Sequence, residues 1–473
     1  MRPAPPFRAW FPALVVALLA FACSKPKPNV VIVVLDTARP DALSVYGAPR
    51  PTSPFLEEFA KAGTVYERAY SSSGWTLPAH ATLFTGALPS VHRATQTNPK
   101  LEPSLPTLAE RLASAGYSTA GFSNNPWVAE HTGLARGFQR FVDKWEKRER
   151  WNDAPETHPT VQSVRAWLDE TKTEAKPFFL FVNLIEPHMP YLPPLSAAAP
   201  FFASENEAAN AANHFFERGK PFGVVARHYQ GDLPLLKEEW DALESLYAGE
   251  LRYTDSIVRA IVAAVDARAK GEDTLVFLVS DHGESFGDHG HISHNFHLYD
   301  SNVRVALLAR GPGIAAGARE TKLAQLADVY TTAAAAAGLA PGEHVVGVDL
   351  RKPLPAARVL YAALDRPVIS FAALPESLIA SGRMKRYDRE LEAVIGPRWK
   401  LIRGSDGSEE LYDLLSDPKE EHALAPSDDT SAFVTQARGV IETVKKVGST
   451  NARSEVTDDP TVRQSLRDLG YSQ

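Results

Sequence analysis

A single cysteine in 473 residues, Cys23, takes disulfides out of the account of this chain. An intrachain bridge needs two thiols, so the fold must rest on buried apolar surface. Basic residues do not dominate: 50 Lys and Arg stand against 57 Asp and Glu, a formal charge of −7. No basic face is implied, and nucleic acid is not an expected partner. Beyond the first thirty residues, no apolar run approaches the roughly 20 residues that a membrane-spanning helix needs. What is present is ordinary for a soluble globular protein, with 44% hydrophobic and 23% charged residues. The length suggests roughly two to three domains, without internal repeats.

The N-terminus stands apart. Arg2 and Arg8 lead into an apolar run over 9–22, closed by Ala20-Phe-Ala-Cys23. A charged start, a short apolar middle and small residues at the boundary describe a secretory signal peptide over 1–22. Its cysteine resembles that of the lipobox of bacterial lipoproteins, where the thiol is lipidated and becomes the first residue. The plainer alternative is a signal peptide with an incidental cysteine. Residues 23–28, with Ser24-Lys-Pro-Lys-Pro28, then read as a lipidated, extended tether. The expected location is the cell envelope (periplasm or outer surface), with the membrane as a partner through the lipid on Cys23.

From residue 29 the pattern is α/β. The β-branched run at 29–35 suits a strand buried on both faces of a parallel sheet, and similar runs recur at 177–183, 274–280 and 303–308. Helix-periodic segments at 105–115, 161–171 and about 237–267 alternate with them. The expected architecture is a large, mostly parallel sheet sandwiched by helices over 29–352. A smaller C-terminal α+β subdomain over 353–448, with an antiparallel sheet and a helix at about 431–446, and a polar tail over 449–473 complete it. The segment 193–235 shows no clean period and reads either as a lid or as an exposed insertion. In open α/β sheets ligands bind at the carboxyl ends of the strands. Three of the runs end there in polar residues: Asp36, the loop from Asn183 to His188, and Asp281-His282.

Ser73-Gly-Trp-Thr-Leu-Pro-Ala-His80 sets a hydroxyl, a proline and an imidazole ahead of an apolar helical run. Pro78 biases Leu77 toward an extended conformation, so Thr76 is expected at an exposed turn, where the following helix N-terminus favours an anion. This segment resembles the Cys/Ser-x-Pro-x-Arg signature of the sulfatases, in the alkaline phosphatase superfamily, here as Thr76-x-Pro78-x-His80. The likeness extends through Asp36, Asp281-His282-Gly-Glu284, Leu298-Tyr-Asp, Arg398-Trp-Lys-Leu-Ile, Glu410-Leu-Tyr-Asp-Leu and Asp417-Pro-x-Glu-Glu421. It implies an exported, metal-dependent ester hydrolase with an alkaline phosphatase-like fold.

Carried over residue by residue, the resemblance gives a metal set of Asp36, Thr76, Asp281 and His282. Thr37 stands where the family has a second carboxylate, and His282 where it usually has Asn. Losing a carboxylate and gaining an imidazole disfavours calcium, so one divalent ion, manganese or zinc, is expected. Thr76 is the expected nucleophile. Formylglycine is excluded, because oxidising threonine gives a ketone rather than an aldehyde. Phosphodiester or phosphonate hydrolysis, or phosphoryl transfer, is then favoured over sulfate esters. The other reading of Thr76 is a helix cap without chemistry, in a silent sulfatase-fold protein that binds envelope glycans or anions. His188, in Glu-Pro-His-Met-Pro-Tyr191, matches a histidine that protonates the leaving oxygen. His80 replaces the sulfatase arginine and either orients Thr76 or binds an anionic oxygen. His294 sits where a substrate lysine is expected, while two or three of His289, His291 and His297 read as solvated. Asn125 is a candidate substrate contact, and Arg39 either contacts substrate or pairs with Asp41. A small-molecule or envelope glycan or lipid ester is the implied substrate.

Overall fold

The computed structural model describes residues 26–143, 154–216, 223–231, 234–269 and 274–449. The leader, Cys23 and the tail from 450 onward lie outside the described residues.

Strand β1 (Asn29–Leu35) forms at the β-branched run and lies inside the main sheet. Its alternate side chains serve two cores. Val30, Ile32 and Val34 pack with Leu83, Phe84 and Tyr330, whereas Val31, Val33 and Leu35 pack with Leu251, Ile257 and Ile261. This period-two division is what a strand covered by helices on both faces requires. The other strands of this part are β2 (Thr64–Tyr70), β3 (Ser118–Ser123), β4 (Arg140–Val142), β5 (Phe178–Leu184), β6 (Thr274–Val279), β7 (Ser285–Phe286), β8 (Ile292–Ser293), β9 (Arg304–Val305), β10 (Leu307–Arg310) and β11 (Ala318–Gln325). The main sheet runs β11-β2-β10-β6-β1-β5-β3-β4, with β9 on β2 and β7-β8 forming a separate ribbon. Strands β6, β1, β5, β3 and β4 are mutually parallel.

The mixed α/β architecture, with a large, mostly parallel sheet between helices and a small C-terminal antiparallel sheet, is the one expected. One detail differs. The run at 303–308 is not one parallel strand: it breaks at Ala306, and β10 runs antiparallel to both β6 and β2. Segment 193–235 is neither periodless nor simply exposed. Its helices Leu195–Ala198, Glu205–Phe215 and Gly223–Gln230 bury Ala197, Ala212, Phe215, Val224 and Val225 in the second core.

Strands β12 (Leu360–Leu364), β13 (Leu391–Ile395), β14 (Trp399–Gly404) and β15 (Glu409–Asp413) form the antiparallel sheet, joined by helix Asp428–Ser449. The Ala363 amide donates to the Ser72 carbonyl at 2.8 Å, tying this sheet to the chain just ahead of Thr76. No helix of the described residues is long and apolar enough to cross a membrane.

Candidate active site

Strands β1, β5 and β6 end side by side, and the residues that follow them face one another. Asp36 extends the β1–β5 ladder, its amide donating to the Leu184 carbonyl at 2.9 Å. Its Oδ2 accepts from Asn125 Nδ2 at 2.7 Å and from Asn183 Nδ2 at 3.2 Å, while Oδ1 accepts nothing. Asp281 Oδ1 accepts from the amides of Thr37 and His282, at 3.1 and 2.9 Å. Its Oδ2 has no hydrogen-bond donor, although His282 Nε2 is 3.4 Å away.

The His282 tautomer follows from its neighbours. Nδ1 lies 3.0 Å from the Gly283 carbonyl, which can only accept, so Nδ1 carries the proton. Burial disfavours the imidazolium, so Nε2 bears a lone pair. Thr76 Oγ1 is 3.2 Å from that nitrogen. One atom each of Asp36, Asp281 and His282 lie within 4.8 Å of one another. Two carboxylate oxygens without donors and an imidazole lone pair converge, and such a set fits a divalent cation. Burial, and then the proximity of Asp281, pushes the Asp36 carboxyl up to about 8. Burial, with a smaller push from Glu284, drives Asp281 up to about 7 against its hydrogen bonds.

Thr76 is the first residue of helix Thr76–Thr85, and no side chain caps that end. The helix is buried on every side, which matches its unpatterned apolar sequence. It ends at Gly86, whose φ of 71° is the left-handed conformation that closes a helix. The sequence expects Thr76 at an exposed turn, but it is only 2% exposed. The reason is non-local: Asn302 Nδ2 bridges the Gly74 and His294 carbonyls, at 3.3 and 2.8 Å, and draws the histidine loop over Thr76.

His80, one helical turn along, is fully buried. Its Nδ1 donates to the Thr76 carbonyl at 2.9 Å, and its Nε2 accepts from Asn183 Nδ2 at 3.3 Å. Burial pushes its pKa down to about 3. It is a neutral link from Asp36 through Asn183 to the Thr76 backbone. Asn183 and Glu284, which the sequence marks only as part of a strand-end loop and of a motif, are the site residues to which it assigns no role. The signal for Asn183 was a polar residue inside the apolar β5 run; that for Glu284 was an acid two residues after His282.

His188 holds Nδ1 against the Met189 carbonyl at 2.6 Å, and its ring lies 5.1 Å from that of His294. His294 in turn lies 4.4 Å from the His282 ring, with Nδ1 3.2 Å from Glu284 Oε1. Of the four histidines over 289–297, His294 is the one joined to this group. His291 and His297 are buried rather than solvated: their rings lie 4.3 Å apart, and His297 Nε2 meets Ser285 Oγ at 2.9 Å. The ribbon of β7 and β8 folds that loop inward.

Two candidates are committed elsewhere. Asn125 uses one amide hydrogen on Asp36 and its oxygen on the Trp127 amide at 2.8 Å, so it braces the carboxylate. The Arg39 guanidinium pairs with Asp41 and Asp288, each at 2.7 Å, and donates to the Glu284 carbonyl at 2.9 Å. Of its two readings, the geometry matches ion pairing.

The family model described as Sulfatase matches residues 28–339. Arylsulfatase K of Bos taurus is 24% identical over 449 residues, covering 88% of this chain and 82% of the relative. Delta 4,5-hexuronate-2-O-sulfatase of Bacteroides thetaiotaomicron is 22% identical over 477 residues, covering 94% of each. Among solved structures, the phosphonate monoester hydrolase of Agrobacterium radiobacter shares the fold with a TM-score of 0.67 at 19% identity, covering 92% of this chain and 100% of the other.

Proposed function

The chain belongs to the sulfatase family, and from that premise we propose an exported hydrolase that cleaves phosphodiesters or phosphonate monoesters through an unmodified Thr76. The carrying observation is the position of Thr76 Oγ1, at the uncapped N-terminus of its helix and 3.2 Å from His282 Nε2. Its carbon bears a methyl group, so the hydrated aldehyde that would expel sulfate without a second attack cannot form.

Substrate places its ester phosphorus ahead of the helix, whose positive end favours the added charge. Thr76 Oγ1 attacks phosphorus as its proton passes to a non-bridging oxygen of the substrate, and the leaving oxygen departs with the electron pair of its bond. His188 protonates that oxygen, and His80 with Asn183 keeps the Thr76 backbone in place. Water then attacks the same phosphorus, giving up its proton to His188, and Thr76 takes back the proton held on the phosphoryl oxygen and leaves as the alcohol. A divalent ion held by Asp36, Asp281 and His282, with manganese and zinc favoured, would supply a lowered hydroxyl pKa and neutralise charge.

Expected activity is on aryl phosphodiesters or phosphonate monoesters, with aryl sulfates at least roughly tenfold slower, about 1.4 kcal/mol in barrier. Thr76→Ala removes all of it, while His188→Ala still releases a burst of about one equivalent of a good leaving group but turns over slowly, because the second step keeps its need for a base. Efficient aryl sulfate hydrolysis by a chain whose mass spectrum shows intact Thr76 would overturn this. A sulfate ester of a small molecule or glycan is the second reading, supported by the names of the relatives.

We further propose that Cys23 is lipidated and holds the enzyme at the envelope. Cys23→Ala should move it from the membrane to the soluble fraction, and equal release of both forms would remove the anchor.

A further inference from the structure

The chain enters the fold at a fixed point. Asn29 opens β1, and its side chain accepts from the Phe178 amide at 3.0 Å and donates to Thr274 Oγ1 at 3.2 Å. Phe178 and Thr274 are the first residues of β5 and β6. Just ahead of Asn29, the Pro28 carbonyl accepts from the Tyr117 hydroxyl at 2.9 Å, and Lys27 Nζ donates to the Ala115 carbonyl at 2.9 Å. Tyr117 directly precedes β3. Residues 27–29 are thus pinned to the starts of three further strands, all parallel to β1.

The site lies at the opposite end of those strands, where Asp36 follows β1, His188 follows β5 and Asp281 follows β6. At about 3.3 Å per residue, the length of β1 puts Asp36 roughly 23 Å from Asn29. Cys23 stands four residues before Lys27, and a stretch of that length reaches at most about 14 Å. A lipid on Cys23 therefore keeps the strand starts close to the bilayer. Tilting the domain can lay a flank against the membrane. Bringing the strand ends down to it would take a tether longer than the sheet, and this one is shorter. A tether that cannot span the gap leaves the effective concentration of an ester in that leaflet near zero at the site.

The end that meets the bilayer carries exposed cations: Lys27, Lys61 ahead of β2, and Lys172 and Lys176 ahead of β5. Neighbouring acids have partners, Asp169 on Lys172 at 3.7 Å, Glu170 on Arg140 at 2.6 Å and Asp266 on Arg310 at 2.6 Å. Anionic headgroups attract a surface of this kind.

We propose that the strand-start end of the main sheet is the membrane-facing surface, and that the enzyme acts on esters arriving through water, not on lipids of the leaflet that holds it. This rests on the reading of Cys23 as lipidated, so attachment, orientation and turnover are measured separately.

The acylated full chain is added to preformed vesicles of phosphatidylglycerol and phosphatidylethanolamine, part of the lipid carrying a nitroxide on its headgroup. With Cys23 acylated, a cysteine introduced elsewhere supplies the one free thiol for a bimane fluorophore. Lys176→Cys places it ahead of β5. Lys419→Cys places it beyond the strand ends, where the Lys419 carbonyl meets His289 at 3.0 Å. Quenching at Lys176→Cys should exceed that at Lys419→Cys at least roughly twofold, because contact quenching does not reach across the ~23 Å between the two ends. Equal quenching or the reverse order, in a chain that floats with the vesicles, overturns the orientation alone. A chain that does not float overturns the anchor, and the proposal with it.

Turnover by the anchored chain is compared on two glyceryl phosphodiesters with the same 4-nitrophenyl leaving group, a dibutanoyl ester in solution and a dipalmitoyl ester in the vesicles. The two share one reacting group and differ in where it sits. The dipalmitoyl ester should be hydrolysed at least roughly tenfold more slowly. Equal rates, or the faster rate on the dipalmitoyl ester, overturn the proposal. Hydrolysis of neither overturns the phosphoryl reading of Thr76 instead, and the quenching order still decides the orientation.

Discussion

Asp36 and Asp281 are fully buried carboxyls with pKa values of about 8 and 7, raised above the ordinary carboxylate range chiefly by desolvation. The unfolded chain has them near 4. Between those values the folded, metal-free protein binds more protons than the unfolded one, so stability falls as pH rises. Their contribution is full below about pH 4 and is lost as pH passes through 7 to 8. A divalent ion needs both carboxylates ionised and so displaces these protons, gaining affinity as pH rises. After chelation, the melting temperature should drop between pH 6 and 8.5, and added manganese or zinc should raise it more at 8.5 than at 6. A metal-induced shift equal at both pH values would count against these two residues as ligands. At this scale the sequence showed Asp36, Thr76, Asp281 and His282, because each sits in a short motif at a strand or helix end. The braces were hidden. Asn183 reaches both Asp36 and His80 across strands, and pairing of that kind is set by register rather than by neighbours in sequence. Asn125 was visible but its bond to Asp36 was not, since nothing local says which way an amide faces.

Helix Pro54–Lys61 shows how elements here are completed from a distance. Its N-cap residue, Ser53, makes no side-chain cap bond, and its first amides instead donate to Asp255. Phe55 N meets Oδ2 at 2.8 Å and Leu56 N meets Oδ1 at 2.9 Å, from the long helix Lys237–Ala269. Asp255→Ala leaves two buried N–H groups without acceptors and should cost about 2–3 kcal/mol in urea denaturation. Asp255→Asn keeps one acceptor and should cost about half of that. A loss under about 0.5 kcal/mol for the alanine variant would mean that water satisfies this end. The long helix itself was legible to within two residues at each end, since its apolar period persists for many turns. Strand β1 was legible residue for residue. Strands β2 and β3 were not. In β2, Glu67 and Arg68 interrupt the apolar pattern, and they are spent on partners far along the chain: the Glu67 carbonyl accepts from Arg304 at 2.7 Å, and Arg68 donates to the Pro397 carbonyl at 2.6 Å. In β3 the residues are small because space is short, and a Cβ on Gly121 would come within 2.6 Å of the Phe141 ring. Both strands depend on partners that no local period reveals.

Across the whole molecule, the small sheet is locked to the large one by a buried charge cluster. Lys400 of β14 is fully buried, with Nζ 2.9 Å from Asp300 Oδ1 and 2.7 Å from Glu420 Oε1. Tyr70, at the end of β2, donates to Asp300 Oδ2 at 3.0 Å, and the Asp300 amide donates to Glu420 Oε2 at 2.5 Å. This is the physical content of three separated fragments of the sequence, Leu298-Tyr-Asp300, Arg398-Trp-Lys400 and Asp417-Pro-x-Glu420. Each reads locally as a strand end or a turn, and only the fold makes them one cluster. The apolar core is shared as well: Leu360, Leu391, Ile402 and Tyr412 of the small sheet pack into the same core as Phe277 and Leu307 of the large one. Because β12 also hydrogen-bonds the chain at Ser72, loosening this junction should be felt at Thr76. Lys400→Met removes the cation and leaves two carboxylates facing each other out of water, a change that typically costs about 3–5 kcal/mol. The triple variant Lys400→Met, Asp300→Asn, Glu420→Gln removes all three charges and should recover a large part of that loss, since a buried ion cluster contributes little beyond an uncharged one of the same shape. Urea denaturation of the single and triple variants checks both values, and hydrolysis assays on the folded fraction check the link to Thr76. A single variant as stable as wild type would show that Asp300 and Glu420 are compensated by water, and that the shared apolar core alone joins the two sheets.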